Sequence, residues 1–183
     1  MVRLFFLACF KLLGWRIEGN LRSDLKKCVL IIAPHTSNWD FILGVASRSI
    51  LRFKANYLIK KEVYKNNLLT WFFNYTGGIP VDRKSKKIDL VGSVVEQFEK
   101  RDSMVLTITP EGTRSYVEEW KTGFYRIALR AKVPIVVVGF DYSKKLVIFL
   151  EEFTPTGNMD EDMAHIKGLF VGVKGKHPEL GVH

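Results

Sequence analysis

Apolar residues in this chain follow two rhythms: short unbroken runs, and repeats every three or four positions. Residues 28–33 (CVLIIA) form a continuous β-prone run, the pattern of a strand buried on both faces, and Pro34 ends it. Residues 38–51 then carry Phe41, Ile42, Val45 and Ile50 on what reads as a helix. A short strand is expected at 56–59, followed by a helix over 66–75 with Leu68, Leu69, Trp71, Phe72 and Phe73. Gly77 and Gly78 break that helix before a short strand at 79–81. Ile88, Val91, Val94, Val95 and Phe98 recur at helical spacing and predict a helix over 86–100. A strand at 104–108 comes next, then a helix marked by Phe124, Ile127, Ala128 and Ala131. The run at 133–140 predicts a strand, with 146–150 as its partner. Asn158 followed by Asp160, Glu161 and Asp162 resembles a helix start, since acids favour the first turn. That helix is expected to reach Lys174, where Gly175 stops it.

Strands alternating with helices predict an α/β fold: a single layered domain with a mixed, largely parallel sheet flanked by helices. In such a sheet, functional side chains gather on loops at strand ends. No repeat, low-complexity stretch or linker divides the sequence. Only the beginning stands apart. Residues 4–10 are apolar throughout, and Leu12, Leu13 and Trp15 continue the run after Lys11 interrupts it. Crossing a bilayer takes about 20 apolar residues, so this segment is too short to span one as a single helix. Arg3 ahead of an apolar stretch resembles a secretory leader, yet no small-residue cleavage site follows. The favoured reading is a short amphipathic helix at 1–15 lying in the headgroup layer, with Arg3, Lys11 and Gly14 near one side, and a main domain at 16–183. The alternative is a terminal helix packed on the protein's own core.

Composition sharpens this picture. Hydrophobic residues make up 47% of the chain and charged residues 26%, which excludes a disordered chain. Thirteen Phe among 183 residues is a heavy load, so some apolar surface is expected to face something other than water. A formal net charge of +9 favours an anionic partner: nucleic acid, an acidic membrane or a phosphorylated small molecule. The basic residues are dispersed and no nucleic-acid motif appears, which argues against nucleic acid. Cys9 and Cys28 lie in apolar segments without metal-ligand spacing and read as buried thiols.

Three segments carry candidate chemistry. In Pro34-His35-Thr36-Ser37-Asn38-Trp39-Asp40, a histidine leaves a strand and an aspartate enters a helix. Neutral histidine is a good general base near neutral pH, and a carboxylate can fix its tautomer and stabilise its cation. Spacing alone does not establish the pair, because a capping and packing cluster would use the same residues. In Thr109-Pro110-Glu111-Gly112-Thr113-Arg114-Ser115, a glycine beside hydroxyl and guanidinium groups can hold a phosphate, although an ordinary turn also uses Pro-Glu-Gly. In Gly77-Gly78-Ile79-Pro80-Val81-Asp82-Arg83, Arg83 can bind phosphate or pair with Asp82 on the surface.

Taken in order, these segments resemble the blocks of the lysophosphatidic acid acyltransferase family, glycerophospholipid acyltransferases with an H-x4-D motif. His35 and Asp40 match its first block, Gly78 to Arg83 its second, and Glu111-Gly112-Thr113-Arg114 its third. Val133-Pro134-Ile135 is similar to its fourth, while Lys60-Lys61-Glu62 and Lys121-x-Gly123-Phe124 match intervening segments. Pro34 departs from the pattern, standing where most relatives have asparagine.

The resemblance implies acyl transfer from acyl-CoA or acyl carrier protein, as co-substrate, to the hydroxyl of a lysophospholipid such as 1-acylglycerol-3-phosphate. It implies His35 as general base and Asp40 as its partner. Arg83 and Arg114 would hold the acceptor phosphate, in a site shaped by Glu111, Gly112 and Thr113. No metal or further cofactor is implied. An anionic membrane surface is the expected partner, and peripheral attachment to the cytoplasmic face of a membrane the expected location. Alternatives are a related enzyme with another lyso-lipid acceptor, such as an aminolipid, and a non-catalytic lipid-binding protein on the membrane.

Overall fold

The computed structural model describes every residue except 1, 65, 82–88 and 183. In chain order its elements are α1 (Val2–Leu13), β1 (Arg16–Glu18), β2 (Lys27–Ala33), α2 (Trp39–Leu51), β3 (Ala55–Lys60) and α3 (Asn67–Thr76). They continue as β4 (Gly78–Val81), α4 (Leu90–Lys100), β5 (Met104–Ile108), α5 (Gly123–Ala131), β6 (Ile135–Asp141), β7 (Leu146–Phe153) and α6 (Met159–Gly168).

The most apolar runs form the middle of one seven-stranded sheet of order β1-β7-β6-β2-β5-β3-β4. Five of its six pairings are parallel and only β6 with β7 is antiparallel, giving the mixed, largely parallel α/β sheet expected. Strand β2 is central, with Leu30 opposite Thr107 of β5 and Val136 of β6. Side chains alternate along it, so Val29, Ile31 and Ala33 enter one core while Cys28, Leu30 and Ile32 enter the other. The first core packs under α4, α5 and α6 through Phe98, Phe124, Ile127 and Ile166; the second packs under α1 and α2 through Phe10, Leu43 and Ala46.

Crossovers after β2 and β5 thus leave on opposite faces, and the loops following β5, β2 and β6 meet at one edge of the sheet. That is the crevice in which open α/β sheets place their ligands.

Several boundaries differ from expectation. Helix α6 ends at Gly168 rather than near Lys174, because Phe170 is drawn fully into the core and Gly172 takes a left-handed φ of +85° that no helix continues through. Strand β1 was not foreseen: three residues with one apolar position carry no periodicity, and β1 exists by pairing Arg16–Glu18 with Leu146–Ile148. Helix α4 starts at Leu90, capped by Asp89 accepting from Gly92 N–H at 2.9 Å, and the expected start at 86–88 lies outside the described residues. Cys28 is buried, whereas Cys9 is only half-buried on α1.

On α1 itself, Arg3, Phe6, Leu7 and Phe10 form the packed stripe, and Arg3 Nε donates to the Ile50 carbonyl at 3.1 Å. Lys11 lies two turns further along α1, about 80° around the axis from Arg3, and is exposed. One side of α1 packs on the domain while its other side leaves leucine and phenylalanine in the open. No helix among the described residues is long and apolar enough to cross a membrane.

Candidate active site

Strand β2 carries the chain to the loop edge, where a cis Ala33–Pro34 peptide leads into His35 and then α2. Asp40 lies in the first turn of α2 and folds back toward the loop. Its Oδ2 accepts from the backbone N–H groups of Thr36 and Ser37, both at 3.0 Å, and lies 2.9 Å from His35 Nδ1. These amides would otherwise be unpaired at a buried helix start, so the carboxylate stabilises the turn and the imidazole together. With Nδ1–H donating to Asp40, the other ring nitrogen, Nε2, carries the free lone pair. That is the tautomer a general base requires.

Oδ1 of Asp40 has its own partner. Tyr142, the first residue after β6, donates its hydroxyl to it at 2.6 Å. Burial pushes the Asp40 carboxyl up, but the bonds from His35, Tyr142 and Ser37 outweigh burial and hold it below its ordinary value. The Tyr142 phenol is driven up, first by burial and then by the adjacent carboxylate, so it stays a donor.

Tyr142→Phe leaves one Asp40 oxygen without a donor that helps to hold its carboxyl below the ordinary value. The lost hydrogen bond, worth ~1 kcal/mol, also fixes the carboxylate opposite His35, so kcat is expected to fall about 5-fold with both KM values little changed. Initial rates of wild type and variant measure this, and an unchanged kcat limits Tyr142 to packing.

The loop after β5 brings the second set. Glu111 is buried behind the loop that carries His35, where its Oε1 accepts the His35 backbone N–H at 3.0 Å. Burial pushes its pKa up despite that bond. Gly112 adopts a left-handed φ of +66°, and a Cβ there would fall 2.8 Å from Lys121 Nζ, so the lysine lies directly over the glycine. Thr113 is exposed, and its hydroxyl accepts from Ser115 N–H at 3.3 Å. Arg114 is exposed and donates to the side-chain oxygen of Asn38, which ties the β5 loop to the β2 loop. Arg83 lies outside the described residues.

His35, Asn38, Asp40, Gly112, Arg114 and Lys121 line one cavity of about 890 Å³, near the upper end of the roughly 300–1,000 Å³ typical of small-molecule sites. Apolar side chains from both sides of the sheet complete its walls, among them Leu30, Ile32, Phe140 and Phe149 on the α2 side and Phe124 and Ile127 of α5 on the other. Of the Trp71-Phe72-Phe73 cluster only Phe73 reaches this cavity, while Trp71 and Phe72 are exposed.

The sequence model of the family described as Acyltransferase matches residues 15–141, which contain His35, Asp40, Glu111, Gly112 and Arg114 but not Tyr142. The chain belongs to the Acyltransferase family. Among characterised members, it is 33% identical over 138 residues to a 1-acyl-sn-glycerol-3-phosphate acyltransferase of Saccharomyces cerevisiae, covering 71% of this chain and 43% of the relative. It is 26% identical over 136 residues to the enzyme of the same name from Streptococcus pneumoniae, covering 70% of this chain and 50% of the relative. The chain thus spans about half the length of the curated relatives it matches. The crystal structure of the 1-acyl-sn-glycerophosphate (LPA) acyltransferase PlsC from Thermotoga maritima superimposes with a TM-score of 0.64 at 19% identity, covering 94% of this chain and 75% of that one. That likeness is one of fold.

Two residues of this Acyltransferase-family site escaped the sequence reading. Asn38 stands between the histidine and the aspartate and makes no side-chain cap bond at the start of α2; it holds Arg114 instead. Tyr142 was overlooked because it follows an apolar strand without a motif. A signal existed: β6 is an apolar strand like β2, and a polar residue just past such a strand faces the same crevice.

Proposed function

We propose that this chain transfers a fatty acyl group from acyl-CoA or acyl carrier protein to the hydroxyl of a lysophospholipid such as 1-acylglycerol-3-phosphate. The observation that carries the reading is His35, with Nδ1 committed to Asp40, on the wall of a large apolar cavity whose mouth holds Arg114. His35 Nε2 takes the proton from the acceptor hydroxyl as its oxygen attacks the thioester carbonyl carbon. The carbon–sulfur bond then breaks and the leaving thiolate receives the proton back from the imidazolium. Asp40 stabilises that cation in between. The acceptor is itself the nucleophile, so no acyl-enzyme is needed, and the chain contains no G-x-S-x-G segment. The apolar interior takes the acyl chain, and Arg114, with Arg83, grips the acceptor phosphate. A product of this class belongs to phospholipid biosynthesis. The enzyme works on the cytoplasmic face of a membrane, to which it attaches peripherally.

The acceptor assignment is tested by kinetics with separate variation of donor and acceptor. Arg114→Ala removes a charge-assisted phosphate contact worth ~1.5–3 kcal/mol, so acceptor KM is expected to rise about 10- to 100-fold with donor KM little changed. Wild type should also prefer 1-acylglycerol-3-phosphate over the phosphate-free monoacylglycerol. Equal changes in both KM values, or no preference for phosphate, would refute the assignment.

A further inference from the structure

Beyond α6 the chain turns back toward the active site. Phe170 is buried in the core and Gly172 is left-handed, and residues 174–182 then run along the loop that carries His35. This segment lies outside the residues 15–141 matched to the family. Gly175 and Gly181 are buried, while Lys176, His177, Pro178 and Glu179 between them are exposed. Both glycines come up against Pro34: a Cβ at Gly175 would lie 3.4 Å from the Pro34 Cβ, and one at Gly181 would lie 3.5 Å from it. Proline brings neither an N–H nor a polar side chain to anchor this loop, so it is held by close packing.

Hydrogen bonds extend this contact to the dyad. Thr36 is buried; its Oγ1 accepts the His177 backbone N–H at 3.1 Å, and its own N–H donates to Asp40 Oδ2 at 3.0 Å. Tyr142 is engaged twice in the same way. Its N–H donates to the Lys174 carbonyl at 2.8 Å, and its hydroxyl donates to Asp40 Oδ1 at 2.6 Å. Each oxygen of Asp40 thus reaches the segment through one intervening residue. Gly175 sits between these two links, where a side chain has no room: a Cβ would fall 2.7 Å from Thr36 Oγ1 and 2.9 Å from Thr36 Cγ2. Next to it, Lys176 Nζ lies 5.0 Å from the ring centre of Trp39, the first residue of α2.

We propose that Gly175 and His177 are positioning residues for acyl transfer: the segment 174–182 braces the loop between β2 and α2 and fixes Asp40, and through it the His35 imidazole, in the geometry that proton transfer requires. The proposal rests on the acyl-transfer reading and names what holds its base in place. Loops are the more mobile parts of a fold, and displacing a reacting group by about 1 Å can cost 10²-fold in rate. Strand β2 anchors the loop before His35 and α2 anchors it after Asp40; between them the Thr36 side chain has the segment as its partner. No residue of 174–182 lines the cavity, so the segment acts on the rate of the chemical step and leaves substrate affinity alone.

Kinetics and amide hydrogen exchange on variants of the full chain test the proposal. Gly175→Ala drives a methyl group against Thr36 and is expected to lower kcat about 10-fold, with donor and acceptor KM little changed. Exchange of the Thr36 and Ser37 amides, which serve Asp40, should accelerate while that of β5 and β6 stays as in wild type. Thr36→Ser keeps the acceptor for the His177 N–H and should remain close to wild type in kcat; Thr36→Ala removes it and should lose about as much as Gly175→Ala. Because Thr36→Ala also empties the space beside Gly175, adding Gly175→Ala to it should cost nothing further. If Gly175→Ala does not fold, the contrast between Thr36→Ser and Thr36→Ala decides. Unchanged kcat and loop exchange in Gly175→Ala, or losses that multiply in the double variant, would overturn the proposal. So would exchange that accelerates across the whole domain, since the segment would then serve stability alone. A wild type without acceptor-dependent transfer would refute the acyl-transfer reading, and exchange at Thr36 and Ser37 would then decide whether the segment positions the loop.

Discussion

Acceptor-dependent thiol release from an acyl thioester should fall about 10²- to 10⁴-fold in His35→Ala, the usual contribution of a positioned general base. The substitution is clean for a physical reason. Asp40 keeps Thr36 N–H and Ser37 N–H on Oδ2 and the Tyr142 hydroxyl on Oδ1, so the buried carboxylate does not lose all its partners. The Glu111 bond goes to the His35 backbone and survives truncation of the side chain. The folded structure should therefore persist while the rate collapses. Thermal unfolding measured beside the rate checks both halves. A rate within a few-fold of wild type would remove His35 from the proton transfer.

Asp40→Asn should be nearly as severe, at about 10²-fold or more in kcat, by a different route. An asparagine can direct its carbonyl oxygen at the three N–H groups that Oδ2 now serves and its amide at the Tyr142 oxygen. Geometry is thus retained, and what disappears is the charge opposite the imidazolium. Stability changes with a defined sign. The folded Asp40 pKa is depressed, so the ionised carboxylate contributes stability that is fully present above its unfolded value, about 3.9, and lost as pH falls through the lower folded value. The variant should be less stable than wild type at neutral pH, with the gap closing below about pH 4. Denaturant unfolding at several pH values measures this, and a gap independent of pH would contradict it.

What the sequence disclosed about this fold was whatever repeats along the chain. Buried strands such as 28–33 and 133–140 announce themselves because both faces are apolar, and α4 because Val91, Val94, Val95 and Phe98 share one stripe. Strand β1 and the early end of α6 were hidden because they depend on partners distant in sequence: Leu146–Ile148 for one, and the core pocket of Phe170 for the other. The site divides in the same way. His35 and Asp40 lie five residues apart and could be paired on paper, and the structure bonds them. Glu111 reads as part of a phosphate turn, yet its carboxylate points behind the loop and holds the His35 amide. Tyr142 reaches Asp40 across 102 positions, a separation that no local motif encodes.

The most direct test counts products. Wild-type protein is incubated with an acyl thioester, with and without 1-acylglycerol-3-phosphate, and released thiol is compared with diacylated phospholipid. Acyl transfer with the acceptor as nucleophile predicts one diacylated molecule per thiol and little release when the acceptor is omitted. Thiol released at the same rate without acceptor, or release without matching lipid product, would mean that water takes the acyl group and would contradict the proposed function.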